Sequence, residues 1–351
     1  MKNILVTGGL GFIGSNTCIS LLEEGFRIFL IDSLINSSLD IYKNIKKLKS
    51  TYVKGNTGEL DLFEGDIRDE IFLEKVFQYA SDNKSSIDMV IHLAGLKSVA
   101  ESEKYPQKYW DVNYKGTKRL INVMEKFNCY SLVFSSSATI YGINNSILTE
   151  KSIINPINTY GKTKLYVEKF LENKYKENPS LWNIINLRYF NPIGGHSSGS
   201  LGENIFKEPH NILPILCMVA DGEKKFIHIY GNDWETKDGT AIRDYVHIMD
   251  IARGHVCAIN YLLNKNSGFI SINLGTGKGT SVLELIRTFE KVSKRKINYI
   301  FSNKREGDVA QYVASNLMAS KLLNWKPIHS LEKMCLDGWI FYLSKKYLKN
   351  S

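Results

Sequence analysis

At 351 residues the chain has room for two domains of roughly 100 to 200 residues each, or for one large sheet with an appended lobe, and a small disulfide-stapled module is excluded. With 43% hydrophobic and 23% charged residues, the composition is that of a globular protein with a sizeable core, neither disordered nor fibrous. The net charge of +9 is mostly lysine spread thinly, without the basic, aromatic-interleaved stripe that nucleic acid requires, so it reads as a solvated surface that mildly steers an anionic small molecule.

The five cysteines, Cys18, Cys129, Cys217, Cys257 and Cys335, form no C-x-x-C pair and have no histidine at zinc spacing. Reduced structural thiols and no metal site are expected. No stretch approaches the roughly 18 apolar residues of a membrane span. Met1, Lys2 and Asn3 run straight into a short apolar strand and a glycine loop, so no signal peptide, no membrane association and a cytoplasmic enzyme are expected.

In chain order, short β-branched runs alternate with amphipathic stretches. Strands are expected over residues 3–7, 27–32, 60–65, 88–92, 131–135 and 182–188, and helices over 12–24, 41–49, 70–81, 106–127 and 159–176, with a polar loop over 49–58. That alternation is the pattern of repeated βαβ units, hence an α/β fold: a Rossmann-like, doubly wound parallel sheet. After Arg188 the rhythm breaks in a segment rich in glycine, serine and turns, from Asn191 to Ser200. The main boundary is placed there, giving a nucleotide-binding domain over 1–190 and a smaller α+β substrate lobe over 191–351. Within 240–275, a helix over 250–263 and a strand over 269–274 are candidates to return to the first domain.

Gly8, Gly11 and Gly14 are spaced G-x-x-G-x-x-G between the first strand and the first helix, with Phe12 and Ile13 opening that helix. Glycine is needed where the chain turns sharply, where backbone meets a pyrophosphate and where helix packs closely on strand; the helix N-terminus offers free N–H groups to the phosphates. Asp32 ends the second strand, where its carboxylate can bind the adenosine ribose and would repel a 2′-phosphate, favouring NAD over NADP. Asp66 can hydrogen-bond adenine while Ile67 covers its face; equally, Asp66 or Asp69 can cap the next helix.

Tyr160 and Lys164 stand at i and i+4, on one face of the helix expected there. A phenol with a pKa of about 10 needs roughly 4 kcal/mol of selective phenolate stabilisation to act as a base near neutrality. A nearby ammonium and an oxidised nicotinamide can supply it. Upstream, Ser135-Ser136-Ser137 ends a strand at the carboxyl edge of the sheet, where a hydroxyl can meet a substrate oxygen; the run can also be a plain strand-to-turn transition.

Together these segments, with Gly65 to Asp69, His92 to Lys97, Ser135 to Gly142, Leu187 to Pro192, Gly239 to Tyr245 and Arg305 to Asp308, resemble the extended short-chain dehydrogenases/reductases, most closely the UDP-glucose 4-epimerase family, over nearly the whole chain. The resemblance implies a retained NAD, proton transfer by Tyr160 at the sugar 4-hydroxyl, tuning of Tyr160 by Lys164 and a share of the 4-oxygen for Ser137. It also implies NAD contacts from Asn36, Ser37, Leu93, Ala94, Gly95, Lys97, Asn113 and Tyr189. Asn191, Asn211, Ile212, Arg243, Arg305, Asp308 and Tyr312 would hold a UDP-hexose; arginine suits a diphosphate because its planar fork binds two oxygens at once. Two departures touch the substrate side: His210 precedes Asn211 where an asparagine is common, and Gly195 precedes His196 where an alanine is. Tyr312 stands where the family varies between bulky and small, which favours UDP-glucose and UDP-galactose over N-acetylated sugars.

Rival readings are a nucleotide-sugar 4,6-dehydratase, a decarboxylase, an epimerase of N-acetylated or uronic acid sugars, and a non-catalytic NAD sensor. Dehydration needs an extra acid and base, and the triplet Ser137-Ala138-Thr139 carries no carboxylate. A sensor could discard the proton-transfer residues, which are all present. By the same resemblance the protein would be a homodimer, with the helices over 106–127 and 159–176 as a four-helix interface.

Overall fold

Residues 3–7 are too short and too apolar for a surface helix, and in the computed structural model, which describes all residues except 53–57, 145–146, 206–208, 210, 266, 306 and 350–351, they form strand β1 (Asn3–Thr7). There follow α1 (Phe12–Glu23), β2 (Arg27–Asp32), α2 (Leu39–Tyr52), β3 (Leu60–Glu64), α3 (Glu70–Asp82) and β4 (Met89–His92). Next come α4 (Val99–Lys104), α5 (Pro106–Tyr109), a π-helical turn (Trp110–Lys115), α6 (Gly116–Lys126), β5 (Ser131–Ser137), α7 (Thr159–Glu177) and β6 (Asn183–Tyr189). Beyond it the strands shorten: β7 (Asn191–Ile193), α8 (Ile212–Ala220), β8 (Ile227–Tyr230), β9 (Ile242–Arg243), β10 (Tyr245–His247), α9 (Ile248–Leu263), β11 (Gly268–Leu274), β12 (Thr280–Ser281), α10 (Val282–Ser293), β13 (Tyr299–Ser302), β14 (Gln311–Tyr312), α11 (Leu317–Leu323) and α12 (Leu331–Lys349).

Seven strands form the main sheet in the order β11-β6-β5-β4-β1-β2-β3, with β1 parallel to β2 and β4, β2 to β3, and β4 to β5. The strand order reverses between β1 and β4, and a crevice at the carboxyl ends of such strands is where ligands bind. This is the doubly wound α/β fold expected.

The chain divides into two compact units. The first comprises 1–140, 156–188 and 252–272; the second comprises 141–155, 189–251 and 273–351. The first unit takes in 252–272, within the 240–275 stretch named as a candidate to return to it, whereas the inclusion of 141–155 in the second departs from the sequence-based division. That short segment belongs with the second unit because its Leu148 exchanges backbone hydrogen bonds with Val313 and Ser315. The first unit is filled by Leu5, Phe29, Phe77, Leu120, Phe134 and Trp182, all at most 2% exposed. Full burial of such side chains is worth about 1.5 to 3 kcal/mol each. A second core gathers Leu216, Leu285, Ile286, Phe289 and Cys335.

Three local expectations are corrected. The loop placed over 49–58 is helical as far as Tyr52, its remainder up to 57 lying outside the described residues. The helix placed over 106–127 is three pieces, because the π-helical turn interrupts it and carries Asn113 inward. The less regular region after Arg188 contains α8, α10, α11 and α12, none of which was anticipated.

Candidate active site

The loop between β1 and α1 is shaped by its glycines. Gly8 has φ of +68°, and a Cβ there would stand 2.7 Å from the Ala94 amide nitrogen, so this turn also sets the loop after β4, which carries Leu93, Ala94, Gly95 and Lys97. A Cβ on Gly14 would meet the Gly8 carbonyl oxygen at 2.3 Å. At Gly11, the N-cap of α1, an added Cβ would meet only that carbonyl, at 3.2 Å. The flank of Gly11 is therefore open to a phosphate approaching the first N–H groups of α1, beside the half-buried Phe12 and Ile13. Lys97 Nζ lies 6.0 Å from the Phe12 ring centre.

Asp32 is buried at the end of β2. Its Oδ2 accepts from the Leu10 amide at 2.9 Å, and its Oδ1 accepts from the Leu34 amide at 3.0 Å and the Ser37 hydroxyl at 2.6 Å. A carboxylate has about four acceptor positions. One remains, on Oδ2, for a ribose hydroxyl, and the fixed negative charge disfavours a second phosphate. Asn36 is exposed on the same loop. These residues fit NAD. After β3, Asp66 accepts from the Arg68 amide and guanidinium, at 2.8 Å, 3.0 Å and 2.7 Å, and those bonds hold its carboxyl below the usual range. Of the two capping candidates Asp69 takes the role, accepting from the Phe72 amide. Ile67 is buried against the position of Gly116.

A hydrogen-bonded chain that sequence reasoning missed ties these loops together. The Ala94 amide donates to Thr7 Oγ1, which meets His92 Nδ1 at 2.7 Å; His92 Nε2 meets Thr117 Oγ1 at 2.8 Å, and Thr117 donates to the Asn113 carbonyl. Because Thr117 spends its proton on Asn113, His92 donates from Nε2 and accepts from Thr7 at Nδ1. Burial, with Lys164 adding to it, holds His92 down to about 3, so it is neutral. The π-helical turn presents Asn113, whose side chain bonds both the amide and the carbonyl of Leu96 and donates to Thr163 Oγ1 at 3.1 Å.

The proposed acid–base group is set by three consecutive serines at the end of β5. Lys164 Nζ donates to the Ser135 carbonyl at 2.6 Å and lies 5.8 Å from the Tyr160 ring centre. Ser137 Oγ accepts from the Thr139 amide and hydroxyl, at 3.2 Å and 3.0 Å, which leaves its own proton for the Tyr160 oxygen. The start of α7 is pinned by Asn158, which caps Gly161, and by Ser102 of α4, which accepts from the Tyr160 amide at 3.1 Å. Burial pushes Tyr160 up to about 12, against the smaller lowering by Ser137. Burial also pulls Lys164 down to about 8, partly offset by the charge of Glu168. The protein by itself thus keeps Tyr160 as a phenol, and a pKa near neutrality needs more phenolate stabilisation than the exposed-phenol reference implied.

Apart from Ser137, the substrate-side candidates lie in the second unit. On the small β12-β9-β14 sheet, Arg243 pairs in register with Tyr312 and its guanidinium reaches Asp308 Oδ1 at 3.2 Å. Arg305 lies 3.6 Å from the Tyr230 ring centre, a stacking partner the sequence gave no reason to single out. The Tyr312 ring stands 5.9 Å from Phe190. Tyr189 is buried at the end of β6, and Asn191 is exposed at the start of β7. Asn211 donates to Glu203 at 2.6 Å at the head of α8, which Ile212 opens. His210 lies outside the described residues; Gly195 bridges to Gly202, and His196 is buried. The structure thus gathers Ser137, Tyr160, Lys164 and Asn113 in one unit, and Arg243, Asp308 and Tyr312 in the other. Among the described residues no cluster suited to a metal ion occurs, and no helix is long and apolar enough to cross a membrane.

Comparison with known proteins adds the following. The model of the GDP-mannose 4,6 dehydratase family matches residues 5–337. UDP-glucose 4-epimerase 2 of Arabidopsis thaliana is 42% identical over 351 residues, covering 100% of this chain and 97% of that protein. The UDP-glucose 4-epimerase of Bacillus subtilis is 42% identical over 337 residues, covering 96% and 95%. Among solved structures, the UDP-glucose-4-epimerase from Stenotrophomonas maltophila with bound NAD and formylated UDP-arabinopyranose matches with a TM-score of 0.93 and 36% identity over 99% of this chain and 100% of that one. The enzyme from Bifidobacterium longum in complex with NAD+ and UDP matches with a TM-score of 0.89 and 38% identity, covering 98% and 99%.

Proposed function

Because the chain belongs to the family that the GDP-mannose 4,6 dehydratase model describes and, within it, to the UDP-glucose 4-epimerases, we propose that it interconverts UDP-galactose and UDP-glucose with a tightly held NAD. The observation that carries this reading is the meeting of Tyr160, Ser137 and Lys164 at the end of β5, within the unit that also bears the glycine loop and Asp32. Gly8, Gly11 and Gly14 with the start of α1 would hold the pyrophosphate, and Asp32 the adenosine ribose. Asp66 and Ile67 would border the adenine, and Lys97 and Tyr189 the rest of the cofactor.

The chemistry that the bound cofactor supplies is reversible hydride exchange with C4 of the hexose, through a 4-ketone. Tyr160 takes the proton of the C4 hydroxyl and returns it when the opposite epimer forms. With substrate in place Ser137 would turn its one proton from Tyr160 to the same C4 oxygen, and Lys164 offsets the charge that develops on the phenol. Asn113, fixed by Leu96 and Thr163, holds the loop after β4 against α7. Arg243, Arg305, Asn191 and Asn211 would hold the UDP moiety, and Asp308 would orient Arg243. The test is incubation of the purified protein with UDP-galactose and no added NAD. UDP-glucose of unchanged mass, without net NADH, is the expected outcome; a product lacking water or carbon dioxide would favour a dehydratase or a decarboxylase, and no turnover of any nucleotide sugar a sensor.

The proposed assembly is a homodimer through α6, the π-helical turn and α7. Its support is a cluster of edge-to-face aromatic rings, Trp110, Tyr114, Tyr166 and Phe170, in which Tyr166 is 49% exposed. Light scattering should report a dimer for the native protein and a monomer for Tyr166→Glu; a native monomer would refute the assembly. The proposed compartment is the cytoplasm, in keeping with five free cysteines, four of them buried.

A further inference from the structure

Glu168 and Arg188 form an ion pair buried in the first unit, 5% and 4% exposed. Arg188 Nε donates to Oε1 at 3.0 Å and a terminal nitrogen donates to Oε2 at 2.6 Å, while the Ser136 hydroxyl donates to Oε1 at 2.5 Å. Withdrawing two charges from water is costly, and replacing such a pair by apolar residues is often neutral or stabilising, so stability is a weak reason for its presence.

Its place in the fold points elsewhere. Glu168 lies one turn after Lys164 on the same face of α7. The two side chains reach consecutive residues of β5, Lys164 the Ser135 carbonyl and Glu168 the Ser136 hydroxyl, and the next residue, Ser137, bonds Tyr160. We propose that Glu168, clamped by Arg188 and Ser136, is a positioning residue that keeps the Lys164 ammonium charged and seated beside Tyr160. The inference rests on the roles given above to Tyr160 and Lys164.

The groups around Lys164 support this. From α7 it is faced by Tyr160 and Glu168, from β5 by the Ser135 carbonyl and the Phe134 ring at 4.9 Å, and from β4 by the neutral His92. Arg188 of β6 stands behind Glu168. Among these groups Glu168 alone is anionic, and its charge opposes the burial that draws Lys164 down to about 8. Without it the ammonium would give up its proton within the working pH range, and Tyr160 would lose its nearest fixed cation.

The test reads Lys164 directly, by NMR titration of protein labelled at the lysine ε-carbon, with Lys164→Arg used only to assign the signal. Glu168→Gln should lower the Lys164 midpoint by about one pH unit or more, and Glu168→Asp, which keeps the charge, should restore most of it. The double variant Glu168→Gln/Arg188→Met leaves no unpaired charge buried, so it remains a test if the single variant does not fold, and its midpoint should move in the same direction. With UDP-galactose, the alkaline limb of kcat should move down by the same interval while KM changes little. A Lys164 midpoint equal to the native one in any folded variant without the Glu168 carboxylate overturns the proposal. Absence of turnover by the native protein would instead sink the functional reading, and the NMR midpoints would still decide this one.

Discussion

In the first unit, hydrogen bonds run along a regular parallel ladder, and buried side chains around the half-buried Tyr160 and Ser137 are held at fixed atoms: Lys164 on a carbonyl, Asn113 on both polar groups of Leu96, His92 between two threonines. The second unit has strands of two to four residues, and two buried carboxylates pin parts of its backbone. Asp244 accepts from the amides of Thr276, Gly277 and Ala314, and Asp250 from those of Ile328 and His329. Its proposed ligand-binding groups remain partly open to solvent; the Arg243 and Asp308 side chains are 19% and 32% exposed. The contrast separates two tasks. Proton transfer requires fixed geometry and low dielectric, whereas holding a charged nucleotide requires accessible forks that exchange water for phosphate.

The sharpest way to break that separation is Tyr160→Phe. It should lower kcat by about 10² to 10⁴-fold with KM and bound NAD nearly unchanged, because only the acid–base group is lost. Native-like turnover would remove the phenol from the mechanism. Next in size, Asp244→Ala removes the acceptor of three amides, that of Ala314 buried, and should destabilise the protein by about 3 kcal/mol, seen as a lower urea midpoint. An unfolding free energy unchanged within about 0.5 kcal/mol would mean that the second unit does not depend on this carboxylate. The smallest effect concerns sugar choice. The native enzyme should prefer UDP-glucose and UDP-galactose to their N-acetyl counterparts, and Tyr312→Cys should narrow the kcat/KM ratio by about tenfold. Equal handling of both pairs by the native enzyme would release Tyr312 from that role.

The same contrast explains what could be read from sequence. The βαβ alternation and the glycine loop announce themselves because each strand and helix has enough residues to show its period. Strands such as Ile242–Arg243 or Gln311–Tyr312 have none to show, and α8 is apolar nearly all round, so its face cannot be read. Tyr160 and Lys164 were legible from their spacing. Glu168 was not: on paper it is one more acidic residue in a charged helix, and only the fold reveals that its carboxylate is buried between Arg188 and Ser136. That burial raises the Tyr160 phenol above its ordinary value was equally invisible.

That β11 is built from residues 268–274 and stands next to β6 has a bearing on how the protein is made. A nascent chain emerging from the ribosome finishes β6 long before its sheet neighbour exists, so an open, aggregation-prone edge must wait through the synthesis of some eighty further residues, roughly 4 to 16 seconds at bacterial or eukaryotic rates. Fragments cut near residue 190 inherit that open edge permanently, and gene fusions or split versions of this protein are better divided elsewhere.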